Sequence, residues 1–167
     1  MARILLYLGG ARSGKSRLAE AATLALGQPA TYIATAEAWD TEMAARIAQH
    51  QARRGPEWCT LSAPRDLIAA LRASEGQPRL VDCLTLWLTN LMLADQDWRA
   101  AAEDMLTLAR AQSSPVVFVS NELGMGIVPE NALARRFRDA QGWLNQTVAA
   151  AADEVHFTAA GLSLRMK

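Results

Sequence analysis

The feature that most constrains this chain is a phosphate-binding loop pattern close to its beginning. Residues 9–16 read Gly-Gly-Ala-Arg-Ser-Gly-Lys-Ser, which fits G-x-x-x-x-G-K-S. An apolar run of strand formers precedes the pattern at 3–8, and a run of good helix formers follows it from 15 to 26. A strand before the loop and a helix after it are the context in which this pattern binds phosphate. A chance glycine-rich turn is therefore the less favoured interpretation.

Each residue type in the loop has a chemical role. Glycines let backbone N–H groups point inward at phosphate oxygens, and the following helix adds its positive N-terminal end. Lys15 is predicted to reach the β- and γ-phosphates, and the Ser16 hydroxyl is predicted to bind Mg²⁺. The predicted phosphate-binding residues are Gly9, Gly10, Ala11, Arg12, Ser13, Gly14, Lys15 and Ser16.

Composition excludes several classes of protein. The 17 basic and 17 acidic residues balance, so no basic excess points to nucleic acid or to an anionic membrane. No apolar run is long enough to span a bilayer, and no signal peptide precedes the first strand, so a cytoplasmic protein is expected. Cys59 and Cys83 are too few for a disulfide scaffold and are expected to be reduced thiols. The 167 residues suit one domain, 1–167.

Strand-like and helix-like segments alternate along the chain, which predicts an α/β fold with a mostly parallel sheet and helices on both faces. Ser62 is expected to cap the third helix and Asp97 the fifth. The other predicted helices are 15–26, 41–54, 84–94 and 130–152, and the predicted strands are 3–8, 30–36, 58–61, 79–82, 116–119 and a terminal pair at 155–158 and 162–166.

Polar residues follow several of the predicted strands, at the edge where ligands bind in parallel sheets. Asp82 ends a short apolar strand, where a phosphate-loop protein places a second Mg²⁺ ligand. It could also cap the helix after it, since Asp is a favoured cap residue, and the two roles are compatible. Glu122 follows the most apolar strand. It either orients a hydroxyl or acts as a base, or it simply opens a tight loop.

His50 also has two interpretations. It shares a predicted helical face with Met43 and Ile47, at i, i+4 and i+7, which is typical of a partly buried core histidine. Arg46 and Arg53 are its helical neighbours, and their charges would disfavour the imidazolium and keep a nucleophilic lone pair available. The same arginines could hold phosphate oxygens. Spacing alone leaves both interpretations open.

Together these motifs resemble the bifunctional adenosylcobinamide kinase / adenosylcobinamide-phosphate guanylyltransferases of cobalamin biosynthesis. The matching segments run in the family's order from one end of the chain to the other. The most specific is N-E-L-G-M-G-I-V-P-E at 121–130. The others are the phosphate loop, Y-I-A-T-A at 32–36, D-x-E-M-A-x-R-I-x-x-H at 40–50, D-C-L-T at 82–85, W-L-T-N at 87–90 and R-x-F-R-D-x-x-G at 135–142.

The resemblance implies a RecA-like sheet, a homotrimer and two Mg²⁺-dependent reactions. The aminopropanol hydroxyl of adenosylcobinamide is phosphorylated by ATP or GTP. GMP is then transferred from GTP to adenosylcobinamide phosphate, which gives adenosylcobinamide-GDP and pyrophosphate. In the family a histidine on the second helix carries GMP covalently, and His50 occupies that position. The resemblance also assigns to the nucleotide site Ala34, Thr35, Ala36, Gln51, Ala52, Arg53, Arg54, Ser62 and Asp82.

One departure from the family pattern affects that site. Members commonly have Glu, associated with binding the guanine nucleotide, where this chain has Ser62. The strength or selectivity of base recognition is therefore in question, whereas the phosphate chemistry is not. Two further interpretations remain: a single-activity kinase of a small metabolite in which His50 is structural, and a non-enzymatic nucleotide switch.

Overall fold

A computed structural model describes residues 1–38, 40–52 and 54–167, and within that part it leaves out the side chains of Arg46 and His50. Strands and helices alternate as predicted. The strands are β1 Ile4–Gly9, β2 Ala30–Ala34, β3 Trp58–Ser62, β4 Arg79–Asp82, β5 Val116–Asn121, β6 Glu154–Ala159 and β7 Leu162–Arg165. The helices are α1 Lys15–Ala25, α2 Thr41–Ala52, α3 Leu67–Ala73, α4 Leu84–Leu93, α5 Trp98–Ala111 and α6 Ala132–Ala151.

The strands form one seven-stranded sheet in the order β3-β2-β4-β5-β1-β6-β7. The neighbouring pairs are parallel up to β6, and β6 and β7 form an antiparallel hairpin at the edge. The predicted α/β fold, the mostly parallel sheet and the terminal strand pair are confirmed. The order places β5 between the phosphate-loop strand β1 and the Asp82 strand β4.

Both faces of the sheet are apolar. Successive side chains of β1 point to opposite faces, and they pack in two different apolar clusters. Ile4 and Leu6 pack in the larger core cluster with residues of α3, α4, α5 and α6. Leu5 and Tyr7 pack in a second cluster with Ala19 of α1. Parallel strands covered on both faces read as continuous apolar runs, which explains why β1 and β5 were recognisable in the sequence.

Two helix starts differ from the prediction. Ser62 does not cap the third helix, because β3 continues its parallel pairing until Ser62 lies opposite Ala34. Asp66 is the cap instead, and its carboxylate accepts a hydrogen bond from the Ala69 backbone N–H at 2.9 Å. Likewise α6 begins at 132, after Asn131 accepts from the Ala134 N–H at 3.0 Å. The predicted cap at Asp97 is confirmed.

None of the helices in the described residues combines the length and apolar character that crossing a bilayer requires.

Candidate active site

The phosphate loop has the backbone shape that its sequence predicts. Arg12 and Gly14 both adopt positive φ, 55° and 92°, which turn the chain sharply between β1 and α1. Helix α1 then begins directly at Lys15, and the Leu18 N–H donates to the Gly14 carbonyl at 3.1 Å. The loop therefore leads straight into a helix N-terminus, where backbone N–H groups can receive an anion.

Glycine is required at position 9 for a steric reason. A side chain there would meet the carbonyl oxygen of Thr158 and would lie 2.6 Å from the Ser13 hydroxyl. The turn of the β6–β7 hairpin also packs against the loop, because the Gly161 N–H donates to the Ser13 carbonyl at 2.7 Å. No local sequence signal indicates this contact, because it joins two segments that are far apart in the chain.

Lys15 is the cation held over this loop. Its side chain is largely buried, and Nζ donates to the Gly10 carbonyl oxygen at 3.0 Å. Burial lowers the pKa of the Lys15 ammonium from its ordinary value, and the nearby Asp82 carboxylate acts in the opposite direction. The loop thus fixes a positive group where nucleotide phosphates are predicted to bind.

Asp82 is positioned by a buried tyrosine. The Tyr32 hydroxyl donates to Asp82 Oδ2 at 2.8 Å, which joins the middle of β2 to the end of β4. Burial and the neighbouring carboxylate raise the pKa of Tyr32, so this hydroxyl stays protonated and remains a donor. The predicted role of Asp82 as a helix cap is wrong. The N-cap of α4 is Cys83, and the Asp82 side chain is directed to Tyr32 instead.

A cleft of about 290 Å³ opens beside the phosphate loop. It brings together Ser16 and Asp82, the two predicted Mg²⁺ ligands, although they lie far apart in the chain. Arg54 also borders the cleft, with its guanidinium carbon 3.7 Å from the centre of the Tyr32 ring. The remaining lining residues are Ala34, Ala36, Met43, Ile47 and Leu86.

Thr35 is buried behind the surface of this cleft, where its hydrogen bonds fix the neighbouring backbone. The buried hydroxyl donates to the Cys83 carbonyl at 2.8 Å and accepts from the Cys83 N–H at 2.7 Å. Asn90, which is also buried, donates to the carbonyls of Thr35 at 2.8 Å and Pro64 at 2.9 Å. These bonds join three of the family motifs, those at 32–36, 82–85 and 87–90. Burial raises the pKa of the Cys83 thiol to about 12, so this cysteine is inert as a nucleophile.

The other residues predicted to bind the nucleotide are not among those that line this cleft in the described part of the chain. Ser62 is exposed on the outer strand β3 and lines a separate depression with Pro64. Gln51 and Ala52 are exposed at the end of α2. Arg53 lies outside the described residues. His50 falls within α2, the helix that contributes Met43 and Ile47 to the cleft, but its side chain and that of Arg46 lie outside the described part.

Glu122 turns back on its own loop. Its carboxylate accepts a hydrogen bond from the Gly124 N–H, and its own N–H donates to the Gly9 carbonyl at 3.0 Å. The preceding Asn121 donates its N–H to the Thr85 hydroxyl at 2.9 Å. This geometry favours the interpretation of Glu122 as a residue that opens a tight loop, and it ties that loop to the start of the phosphate loop.

Comparison with known proteins extends the likeness well beyond the phosphate loop. A family model described as cobinamide kinase / cobinamide phosphate guanyltransferase matches residues 5–166. The bifunctional adenosylcobalamin biosynthesis protein CobP of Pseudomonas aeruginosa is 50% identical over 166 residues, covering 97% of this chain and 96% of the relative. The bifunctional adenosylcobalamin biosynthesis protein CobU of Salmonella typhimurium is 42% identical over 181 residues, covering 98% and 99%.

Proposed function

The chain belongs to the cobinamide kinase / cobinamide phosphate guanyltransferase family, and from this premise we propose how one phosphate loop serves two reactions. The protein is a bifunctional enzyme of cobalamin biosynthesis. In the first reaction it transfers the γ-phosphoryl group of ATP or GTP to the aminopropanol hydroxyl of adenosylcobinamide. In the second it transfers GMP from GTP to the new phosphate, releases pyrophosphate and gives adenosylcobinamide-GDP.

The observation that carries the proposal is the cleft in which Ser16 and Asp82 lie beside Lys15 and the phosphate loop. Transfer of a phosphoryl group depends mainly on positioning and on offsetting phosphate charge. The loop N–H groups and the N-terminal end of α1 would hold the phosphate oxygens, and Lys15 would neutralise part of their charge. In this arrangement the chain's own residues orient the terminal phosphate toward the acceptor hydroxyl.

The residues of the cleft fit Mg²⁺. This ion is usually bound through one or two carboxylates together with substrate phosphates, rather than by a complete protein cage. Ser16 and Asp82 supply a hydroxyl and a carboxylate in one cleft, and Tyr32 fixes the orientation of the carboxylate. When bound there, Mg²⁺ would supply positive charge that offsets the charge developing on the phosphates. Within the described residues there is no cluster of three or more His, Cys, Asp or Glu side chains that could hold a metal.

Asp82→Asn should raise the Mg²⁺ concentration needed for half-maximal kinase activity by at least about tenfold, because the ion loses a charged ligand. Activity measured across a Mg²⁺ titration tests this. The matched control is Asp97→Asn at the N-cap of α5, where Asn caps as well as Asp and no nucleotide is predicted. A Mg²⁺ titration identical for Asp82→Asn and the wild type would remove Asp82 from the metal site.

For the guanylyl step, we propose that His50 is the nucleophile. A nitrogen of the neutral imidazole attacks the α-phosphorus of GTP, a phosphorus–nitrogen bond forms, and the bond to the bridging oxygen breaks as pyrophosphate leaves. A phosphate oxygen of adenosylcobinamide phosphate then attacks the same phosphorus and releases the histidine. Support comes from the resemblance and from the position of α2, which contributes Met43 and Ile47 to the cleft beside the phosphate loop.

The proposal also specifies the domain organisation, the location and the oligomeric state of the enzyme. Both activities are assigned to one domain, 1–167, that acts in the cytoplasm as a homotrimer, as the family resemblance implies. Nucleotide residues proposed on the same basis are Ala34, Thr35, Ala36, Gln51, Ala52, Arg53, Arg54 and Ser62. Light scattering of the purified protein measures the oligomeric state directly.

Product masses test the function as a whole. The protein is incubated with adenosylcobinamide, Mg²⁺ and either ATP or GTP, and the corrinoid products are identified by mass spectrometry. The proposal expects the phosphate with ATP and adenosylcobinamide-GDP with GTP. The phosphate alone in both reactions would indicate a single-activity kinase, and no corrinoid product in either would indicate a nucleotide switch.

A further inference from the structure

The loop between β5 and α6, residues 122–130, presents an unusual group of exposed apolar side chains. Met125 is 79% exposed, Ile127 98% and Val128 61%. Leu123 in the same loop is also exposed. An exposed apolar cluster of this kind generally marks a surface that binds something.

Helix α6 holds this loop in a defined shape. The Arg138 side chain donates to the carbonyl oxygens of Gly124 and Gly126, the latter at 3.3 Å. Arg135 donates to the carbonyls of Pro129, at 2.9 Å, and Glu130. The apolar side chains are therefore presented on a braced backbone, which reduces the entropy that binding must remove.

The loop emerges at the edge of the sheet that carries the phosphate loop. Asn121 lies opposite Gly9 in the pairing of β5 with β1, and the Glu122 N–H donates to the Gly9 carbonyl at 3.0 Å. Because β5 lies between β1 and β4, the loop begins between the phosphate-loop strand and the Asp82 strand. A large acceptor whose hydroxyl reaches the terminal phosphate has to rest on this edge of the sheet.

The apolar surface of the loop matches the chemistry of such an acceptor. Residues 122–130 contain two carboxylates, Glu122 and Glu130, and no lysine or arginine. Adenosylcobinamide is a large corrin macrocycle with broad apolar surfaces and a formal positive charge at its cobalt centre. The exposed apolar side chains of the loop complement the broad apolar surfaces, because apolar contact supplies affinity. The two loop carboxylates are offset by the guanidinium groups of Arg135 and Arg138 that donate to the same loop, so apolar contact and not charge is expected to hold the macrocycle.

We propose that the 122–130 loop is the docking surface for the corrin macrocycle of adenosylcobinamide. This inference rests on the proposed function, since it assigns the second substrate of the same active site. The nucleotide occupies the cleft lined by Ser16, Tyr32 and Asp82, and the macrocycle lies against Met125, Ile127 and Val128. Its aminopropanol arm then extends toward the phosphate loop in both reactions.

The test replaces Met125 and Ile127 separately by serine. Each variant should raise the KM for adenosylcobinamide, and the Kd measured by equilibrium dialysis without nucleotide, by about tenfold, as expected for loss of one buried apolar contact. The KM for GTP and the yield of GMP-labelled protein with GTP alone should not change. Leu93→Ser is the matched control, because Leu93 is 59% exposed and ends α4, whereas α4 begins beside the cleft.

The outcomes separate this inference from the proposed function. Unchanged Kd and KM for adenosylcobinamide in both loop variants would overturn the docking surface. Dissociation of the oligomer by the serine variants, with equal effects on GTP and adenosylcobinamide, would also overturn it and would identify the loop as a contact between copies. If the wild type forms no GMP adduct and no corrinoid product, the proposed function fails, and the dialysis result still judges the docking surface by itself.

Discussion

Lys15→Ala is expected to abolish both phosphorylation and guanylylation of adenosylcobinamide. The chain has a single phosphate loop, and Lys15 is the cation held over it by its bond to the Gly10 carbonyl. Both reactions build negative charge on phosphate oxygens, so both lose the same stabilisation when the ammonium is removed. Each rate should fall by at least about 100-fold, which is the usual effect of removing one preorganised stabilising group.

The measurement compares initial rates of the two reactions for the wild type and for Lys15→Ala, with thermal unfolding as the test of folding. Lys167→Ala is the matched control, since Lys167 is the only other lysine. Its Nζ donates to carbonyls at the end of α6, including that of Ala149 at 3.2 Å, so its loss should affect stability rather than rates. Persistence of one activity near the wild-type rate in Lys15→Ala would mean that the two reactions use separate phosphate sites.

Local sequence was sufficient where a short segment carries its own physical signal. The glycines and the lysine of the phosphate loop predicted a turn between a strand and a helix. The continuous apolar run at 116–119 predicted a buried strand. Asp97 was recognisable as a cap because a favoured cap residue stands immediately before a helical pattern. In each case the deciding interactions span only a few residues.

The parts that could not be predicted depend on contacts between distant segments. Ser62 and Asp66 are both good caps, and only the pairing of β3 with β2 excludes Ser62. The bond from Tyr32 to Asp82 joins positions 50 residues apart, and the sheet order alone brings them together. The contact of Gly161 with Ser13 has the same origin, because β6 pairs with β1.

Arg79 shows the same limit for a charged residue. It is the first residue of the predicted strand 79–82, and its side chain is completely buried. Its guanidinium donates to the Leu71 carbonyl at 3.0 Å, the Glu75 carboxylate at 3.2 Å and the Gln112 amide oxygen at 2.6 Å. A buried charge is tolerated only with such partners, which come from α3, its end and the end of α5. No sequence pattern near position 79 predicts these hydrogen-bond partners.

His50→Ala is expected to separate the two activities, and it is the sharpest test of the proposed mechanism. The kinase step requires the phosphate loop, Mg²⁺ and a positioned hydroxyl, none of which depends on an imidazole. The guanylyl step requires a nucleophile that attacks the α-phosphorus. The wild type incubated with α-³²P-GTP should therefore retain label on the protein in an acid-labile, base-stable adduct, which is typical of a phosphorus–nitrogen bond. The His50→Ala protein should retain none and still phosphorylate adenosylcobinamide.

His156 provides the control for that experiment, because the chain has only two histidines. Its ring stacks on Tyr7 with a centroid separation of 4.6 Å and contacts the carboxylate of Glu154 and the hydroxyl of Ser163, as expected for a structural residue in β6. His156→Asn should keep both the adduct and the second reaction. An adduct that survives in His50→Ala, or that peptide mapping places on His156 or Lys15, would contradict the assignment. In either case GTP would still have to bind in the cleft beside the phosphate loop, but the nitrogen that carries GMP would not belong to His50.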